Sequence, residues 1–378
     1  MQTVCKRNMC TGCMACMDQC AHGALKVERS LSTYNVMIQE DKCKKCGLCK
    51  KVCQVNTEQE LKEPVDWLEG WANDLVTRST ASSGGFAAAM MKGFIRNGGV
   101  VCSCVFEKGD FVFKTACTVE KLPLFQGSKY VKSNPMGIYK EIRDIIKRYK
   151  ILFIGLPCQV AAIKNYIPKQ FQERLYTVDL ICHGTPSPLL LRQFLEEHGC
   201  DIKGFTDIRF RKKRDFRLSD GQWKPIVDSC IADRYSYSFL HAFIYTENCY
   251  NCRYARRQRV SDVTIGDSWG SDRKEEKKGG ISLALVQSEK GKGLLEMSDV
   301  TLYKANLDKA ISTNLQLTSP SVKDKRWARF FIALNKGVGF DKAVLYATPY
   351  GVFKQNVKKI LLEFCNDFFG GGGVSDRS

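Results

Sequence analysis

The chain has 378 residues, a formal charge of +18 from 58 Lys and Arg against 40 Asp and Glu, and 19 cysteines. That length allows two or three domains with a sizeable core, and no run of about 18 apolar residues is present to span a membrane. Met1 to Asn8 carries no apolar signal segment, so the cysteines point to thiolate chemistry in a reducing cytoplasm and away from a secreted disulfide scaffold.

The first predicted unit is N-terminal. Cys10, Cys13, Cys16 and Cys20 have the same spacing as Cys43, Cys46, Cys49 and Cys53, C-x2-C-x2-C-x3-C in both runs. Three thiolates two residues apart wrap one corner of a [4Fe–4S] cube. The fourth lies too far round to close it, and in the bacterial two-cluster arrangement it ligates the other cube. The spacing therefore assigns Cys10, Cys13, Cys16 and Cys53 to one cluster, and Cys43, Cys46, Cys49 and Cys20 to the second. Zinc, which takes separated C-x2-C pairs, fits this spacing poorly. Residues 24–27 and 35–39 read as short strands beneath the clusters, and Cys5 reads as a free thiol.

On these motifs residues 1–58 resemble bacterial two-cluster ferredoxin domains. One departure is that Ala21 follows Cys20 and Gln54 follows Cys53, where ferredoxins usually place proline. Exposed cubes imply oxygen sensitivity and hence an anaerobe. Clusters also add negative charge, so part of the basic excess is counter-charge. The rest would attract an acidic redox partner such as a ferredoxin.

Residues 54–66 read as a polar linker. Ser82, Ser83, Gly84 and Gly85 open a helix over 86–96, which stops at Gly98 and Gly99. Strands are expected at 100–106 and 111–118, with Cys102 and Cys104 on one face of the first; these two and Cys117 read as buried thiols. A helix over 139–148, a strand over 151–155, a helix over 160–166, a strand over 175–182 and a helix over 188–198 then alternate. Such alternation predicts a parallel α/β core, α+β overall once the small N-terminal unit is counted. Residues 203–230 look like a basic, strand-rich insertion, and 263–266 and 281–287 like further strands flanking a charged, solvated loop over 271–278. After about residue 320 the chain reads as a helical tail, with a disordered end from Gly370. The expected units are thus 1–58, 59–150, 151–320 and 321–378.

A second constellation lies in the core. Cys158 follows one parallel strand and Cys182 the next, and loops at the carboxyl ends of parallel strands share one edge of a sheet, where ligands bind. Cys249 and Cys252 supply a C-x2-C pair. Four thiolates suffice for a third [4Fe–4S] cluster; a structural zinc or unrelated buried thiols are the alternatives. Ser83, Gly84 and Gly85 at a helix start offer free amides and a positive dipole end, suited to a pyrophosphate, though an ordinary helix start looks the same. Ser128 and Lys129 would add a hydroxyl and a cation, or form a loop in water. Gln159 and His183 face the same sheet edge, His183 as a weak catalytic candidate or as a residue that merely orients its loop.

The ordered motifs Ser82 to Gly85, Gly127 to Tyr130, Gly155 to Gln159, Asp179 to Gly184, and Cys249 through Ser261 to Asp267 resemble the beta-subunit family of coenzyme F-420 hydrogenases and dehydrogenases. Its relatives include 7-hydroxymethyl chlorophyll a reductase. The likeness runs over about residues 66–320. It implies a flavoprotein with FAD beside a [4Fe–4S] cluster held by Cys158, Cys182, Cys249 and Cys252.

Two basic stretches remain. Residues 209–217 hold six cations in nine residues, and 253–259 hold four arginines. A solvated or substrate-facing surface, docking of an acidic electron donor, an anionic substrate, or (with Phe210 and Phe216 available for stacking) single-stranded nucleic acid are the readings. The expected function is an iron–sulfur flavoprotein oxidoreductase passing electrons between ferredoxin-type clusters and FAD, with a small-molecule or deazaflavin substrate. The expected partner is a ferredoxin or another oxidoreductase subunit. The alternative is a non-enzymatic relay subunit that carries clusters to a separate catalytic protein.

Overall fold

The computed structural model describes residues 2–227, 231–273 and 279–369, the side chains of 364–369 excepted. Each N-terminal cysteine run folds into the same local shape because it repeats the same spacing. Met14 (φ 59°) and Gly47 (φ 75°) turn the chain in left-handed conformation into one-turn helices, Ala15–Gln19 and Leu48–Val52, and Cys20 and Cys53 end them in extended conformation. Between the runs, β1 (Leu25–Arg29) and β2 (Tyr34–Ile38) pair antiparallel, with Leu25 opposite Ile38.

Ten further strands follow. They are β3 (Asp66–Ala72), β4 (Val100–Glu107), β5 (Asp110–Ala116), β6 (Ile151–Gly155), β7 (Leu175–Leu180), the two-residue β8 (Ile208–Arg209) and β9 (Ser219–Asp220), β10 (Val263–Asp267), β11 (Ser282–Val286) and β12 (Val300–Lys304). All but β8 and β9 form one sheet, ordered β12-β3-β11-β10-β7-β6-β4-β5. The four inner strands β10, β7, β6 and β4 are mutually parallel, and antiparallel strands flank them on both sides. The mixed α/β sheet with a parallel centre is as the alternation predicts. Ile151, Leu152 and Phe153 of β6 are fully buried, as a strand covered on both faces must be, each contributing roughly 1.5–3 kcal/mol of apolar burial.

Several elements differ from expectation. The insertion is sparser in strand than its composition suggests: β8 pairs with β9 over two residues, and buried Phe210 and Leu218 pin the remainder to the aromatic core. Cys102 is buried, but Cys104 is half-buried and Cys117 exposed, because β5 ends at Ala116 and Cys117 leaves the sheet. β3 begins inside the expected linker. Residues 274–278 of the charged loop and the tail from Gly370 lie outside the described residues. Helices Lys325–Asn335, Phe340–Ala347 and Pro349–Phe369 make the C-terminal part helical.

The ferredoxin-like unit is joined to the sheet by packing and by buried polar contacts. One hydrophobic cluster runs from Cys10, Cys13 and Cys16 into Tyr139, Ile142, Ala161 and Ile163. Buried Asp18 accepts from the amides of Gly137 (2.7 Å) and Tyr139 (3.1 Å), at the start of helix Ile138–Ile145, and the Tyr139 hydroxyl donates to the Cys13 carbonyl (2.7 Å). Arg253 donates to the carbonyls of Val55 (2.7 Å) and Thr57 (2.8 Å).

Candidate functional site

Cys10, Cys13, Cys16 and Cys53 line one small cavity, closed by Val4, Met14, Val36 and Val55. Cys5 lines it too, so the thiol outside the repeat stands beside this set. Burial and then the neighbouring thiols Cys53 and Cys10 push Cys13 up to about 12. The other set is outside: Cys46 is exposed, Cys20, Cys43 and Cys49 half-buried. Burial raises Cys49, and Cys20, Cys43 and Cys46 add to that shift. Each run therefore contributes its first three cysteines to one group and its fourth to the other, the exchange that the spacing implies. Thiols that raise one another's pKa give up their protons on binding a metal, so metal affinity at such a site is pH-dependent.

The core set converges as well. Cys158 sits in the first turn of helix Pro157–Tyr166, Cys182 just past β7, and Cys249 and Cys252 at a single helical turn and its end. All four line a second cavity of about 70 Å3. Register explains the meeting: Gly155 pairs with Asp179 across the parallel β6–β7 ladder, so both chains turn away at one edge. Arg259, fully buried, fixes the third segment. It donates to the Asp179 carboxylate (2.9 Å) and to the carbonyls of Leu180 (3.0 Å) and Tyr254 (2.7 Å), tying the loop after Cys252 to the end of β7. The Cys249 sulfur has Thr185, Thr246 and Asn248 within 3.7 Å.

Lys132 stands between these two cavities. It is buried, its ammonium donates to the Thr11 carbonyl (3.0 Å), and although burial opposes its charge, the thiols of Cys249, Cys158 and Cys10 hold its pKa up. Among the described residues no three His, Cys, Asp or Glu side chains close on a single metal ion; the donor sets are four thiols around a space, the chemistry a [4Fe–4S] cube requires.

A third cavity, about 480 Å3, opens along the carboxyl edge of the sheet, a volume in the range of cofactor sites. Ser82, Ser83, Gly85, Ser128, Lys129 and Gln159 line it. Gly84 does not: a Cβ there would stand 2.5 Å from the Gly70 carbonyl oxygen, so its place is against the sheet. Helix Phe86–Arg96 starts at this cavity with no side chain capping its amides. The Ser82 hydroxyl accepts from the Ser128 amide (3.0 Å), holding the two loops together. Gln159 is tied at both ends, accepting from the Leu156 amide (2.9 Å) and donating to Ser133 (2.9 Å). His183 lines both this cavity and the second.

The loops gather cations. Burial holds Lys129 down to about 8, and burial followed by the charges of Arg78 and Arg211 holds Lys213 down to about 8. The Lys213 ammonium donates to the Ser83 carbonyl (2.8 Å). Arg209 pairs with Asp207 (2.6 Å) but leaves buried Nε and Nη1 without a partner, and a Cβ on Gly127 would stand 3.0 Å from that Nη1. Ammonium groups crowded against other cations, two buried guanidinium nitrogens without a partner and an uncapped helix start fit an anionic group such as a pyrophosphate.

Sequence reasoning missed the pair Arg211–Asp267. Arg211 donates to both Asp267 oxygens (2.7 and 2.8 Å), to Tyr130 and to the Ser82 carbonyl, while its guanidinium lies 5.3 Å from the Trp269 ring. Asp267 ends β10 and Arg211 lies in the basic stretch, so each was visible singly. Both basic stretches are split between inside and outside: Arg253 and Arg259 hold the cluster loop and Arg211 and Lys213 the cavity loops, while Lys212, Arg214, Arg256 and Arg257 are exposed.

Fold and cysteine sets together define an iron–sulfur protein of the electron-transfer class. Residues 9–57 match the 4Fe-4S dicluster domain, and residues 149–308 match the family described as the C terminus of the beta subunit of coenzyme F420 hydrogenase/dehydrogenase. The resemblance read from the motifs is thus borne out over those residues. No curated protein matches. Among solved structures, a chain of the xenon-derivatised F420-reducing [NiFe] hydrogenase complex from Methanosarcina barkeri is similar at 16% identity and a TM-score of 0.49, over 75% of this chain and 98% of that one. No helix among the described residues is long and apolar enough to cross a membrane.

Proposed function

We propose that the protein is an iron–sulfur flavoprotein oxidoreductase with three four-thiol cluster sites and an FAD site. Cys10, Cys13, Cys16 and Cys53 would hold the inner ferredoxin-type cluster, Cys20, Cys43, Cys46 and Cys49 the outer one, and Cys158, Cys182, Cys249 and Cys252 the third. The observation that carries this reading is that the cavities share walls. Thr11 and Val55 line both the inner ferredoxin-type cavity and the core cysteine cavity, and Leu156 and Cys182 to Thr185 line both the latter and the large cavity.

In this reading Ser82, Ser83, Gly85, Ser128 and Lys129 bind the anionic part of the flavin, and Gln159, locked by Leu156 and Ser133, borders its ring. FAD exchanges single electrons with clusters and a hydride with an organic substrate, which joins the two chemistries. A small-molecule or deazaflavin substrate would enter the remainder of the large cavity near His183 and Trp269. The electron partner is a one-electron carrier or another oxidoreductase subunit, and the setting is the reducing cytoplasm of an anaerobe.

The test is iron, sulfide and flavin content after strictly anaerobic purification, expected at about 12 iron and one FAD per chain. Iron without flavin after reconstitution would replace the enzyme with a relay protein; a colourless preparation would sink both.

A further inference from the structure

The outer cysteine set is surrounded by cations that no other part of the structure engages. Lys42, Lys44, Lys45, Lys50 and Lys51 are all exposed, and among the described residues none of the five has an ion-pair partner. Two carboxylates, Glu40 and Asp41, share that stretch. Cys46 and Gly47 are exposed at its centre, and Leu48 stands 45% exposed beside them. The inner set has no such approach, being closed by apolar side chains and by the contact with Tyr139.

Ammonium groups in water act weakly on a site behind them and strongly on what approaches from solution, because they raise the local concentration of an oppositely charged partner. An exposed apolar side chain rimmed by like charges is the usual anatomy of a small, transient electron-transfer contact.

We propose that this face docks an acidic one-electron carrier protein, with Lys42, Lys44, Lys50 and Lys51 meeting its carboxylates and Leu48 meeting the apolar rim of its redox group. The proposal rests on the outer cysteines holding a cluster, as above, and adds where the partner binds and what charge it carries.

The experiment measures binding by calorimetry, with anaerobic holoprotein and a bacterial two-cluster ferredoxin of strongly negative net charge as probe. The dissociation constant should rise at least about tenfold between about 50 and about 300 mM salt. A variant with Lys44→Glu, Lys50→Glu and Lys51→Glu should lose a similar factor at low salt. A control with the same charge change, Lys336→Glu, Lys342→Glu and Lys354→Glu in the C-terminal helical part, should stay within about twofold. Cytochrome c, a basic carrier, should bind the wild type more weakly than the acidic probe, and the first variant better than the wild type.

No binding at low salt, no salt dependence, or equal losses in both variants would overturn the proposal. Iron content, measured on every sample, separates the two levels: a wild type without clusters defeats the functional reading, and clusters with unmoved affinity defeat the docking surface alone.

Discussion

The two ferredoxin-type cysteine sets share one spacing and one local backbone, yet their surroundings are opposite. Cys10, Cys13, Cys16 and Cys53 are buried against helices Ile138–Ile145 and Pro157–Tyr166, while Cys46 faces water and its neighbours are half-buried. Ligand identity is therefore set by local spacing and ligand environment by tertiary packing. On the proposed reading the difference gives the molecule a direction: an exposed outer cysteine set, an inner set sealed in the protein, and a third set in a cavity that shares walls with both the inner one and the large cavity.

The comparison breaks most easily at the cysteines. Cys16→Ser should cost about four iron and lower the unfolding midpoint by on the order of 10 °C, because cluster binding there is coupled to folding of the interface. Cys46→Ser should cost the same iron and move the midpoint by only a few degrees. Iron analysis with calorimetry checks both, and equal thermal losses would erase the distinction between inner and outer sites.

Asp18→Ala comes next. It leaves the amides of Gly137 and Tyr139 without their acceptor, which should cost about 3 kcal/mol. The readout is faster hydrogen exchange of amides 137–146, which reports the local opening of that segment.

At the far end of the chain of cavities, Lys129 predicts a pH dependence. Its ammonium, held down to about 8 chiefly by burial, is present below that pH and lost above it. FAD affinity should thus be full below pH 8 and fall by up to about tenfold per unit as pH rises through 8 to 9. Fluorescence titration of the flavin-free protein reads this, and Lys129→Met should bind weakly with a shallower profile, the remaining slope belonging to Lys213, which is also held down to about 8.

The smallest effect belongs to Lys132. Removing this buried cation from between Cys10, Cys158 and Cys249 should lower cluster midpoint potentials, by tens of millivolts in Lys132→Met, because a nearby positive charge favours the reduced form. Potentiometric titration followed by electron paramagnetic resonance measures the shift; an unchanged inner cluster would remove Lys132 from its surroundings.

Much of this was legible, for identifiable reasons. Repeated cysteine spacing is local, so the grouping of the eight N-terminal cysteines could be read. The strand-end positions of Cys158 and Cys182 were legible because a fully apolar run such as Ile151–Gly155 signals a parallel central strand. The environments of the two sets had a signal too: Thr11, Met14, Ala15 and Met17 separate one set of cysteines, Lys44, Lys45, Leu48, Lys50 and Lys51 the other.

What could not be read depends on contacts distant in sequence. Asp18 lies 119 residues from Gly137, and Arg211 lies 56 from Asp267. Lys132 has no local pattern around it. β3 escaped because Asp66, Glu69 and Gly70 interrupt its apolar alternation, and β12 because it is a half-exposed edge strand.

The most direct test of the ordered sites is electron paramagnetic resonance of the fully reduced, iron-replete protein. Neighbouring sites that share walls predict signals broadened and split by one another, simplifying in Cys158→Ser when the third cluster is lost. A spectrum that is the plain sum of isolated clusters, unchanged in shape by that substitution, would contradict the contiguous arrangement.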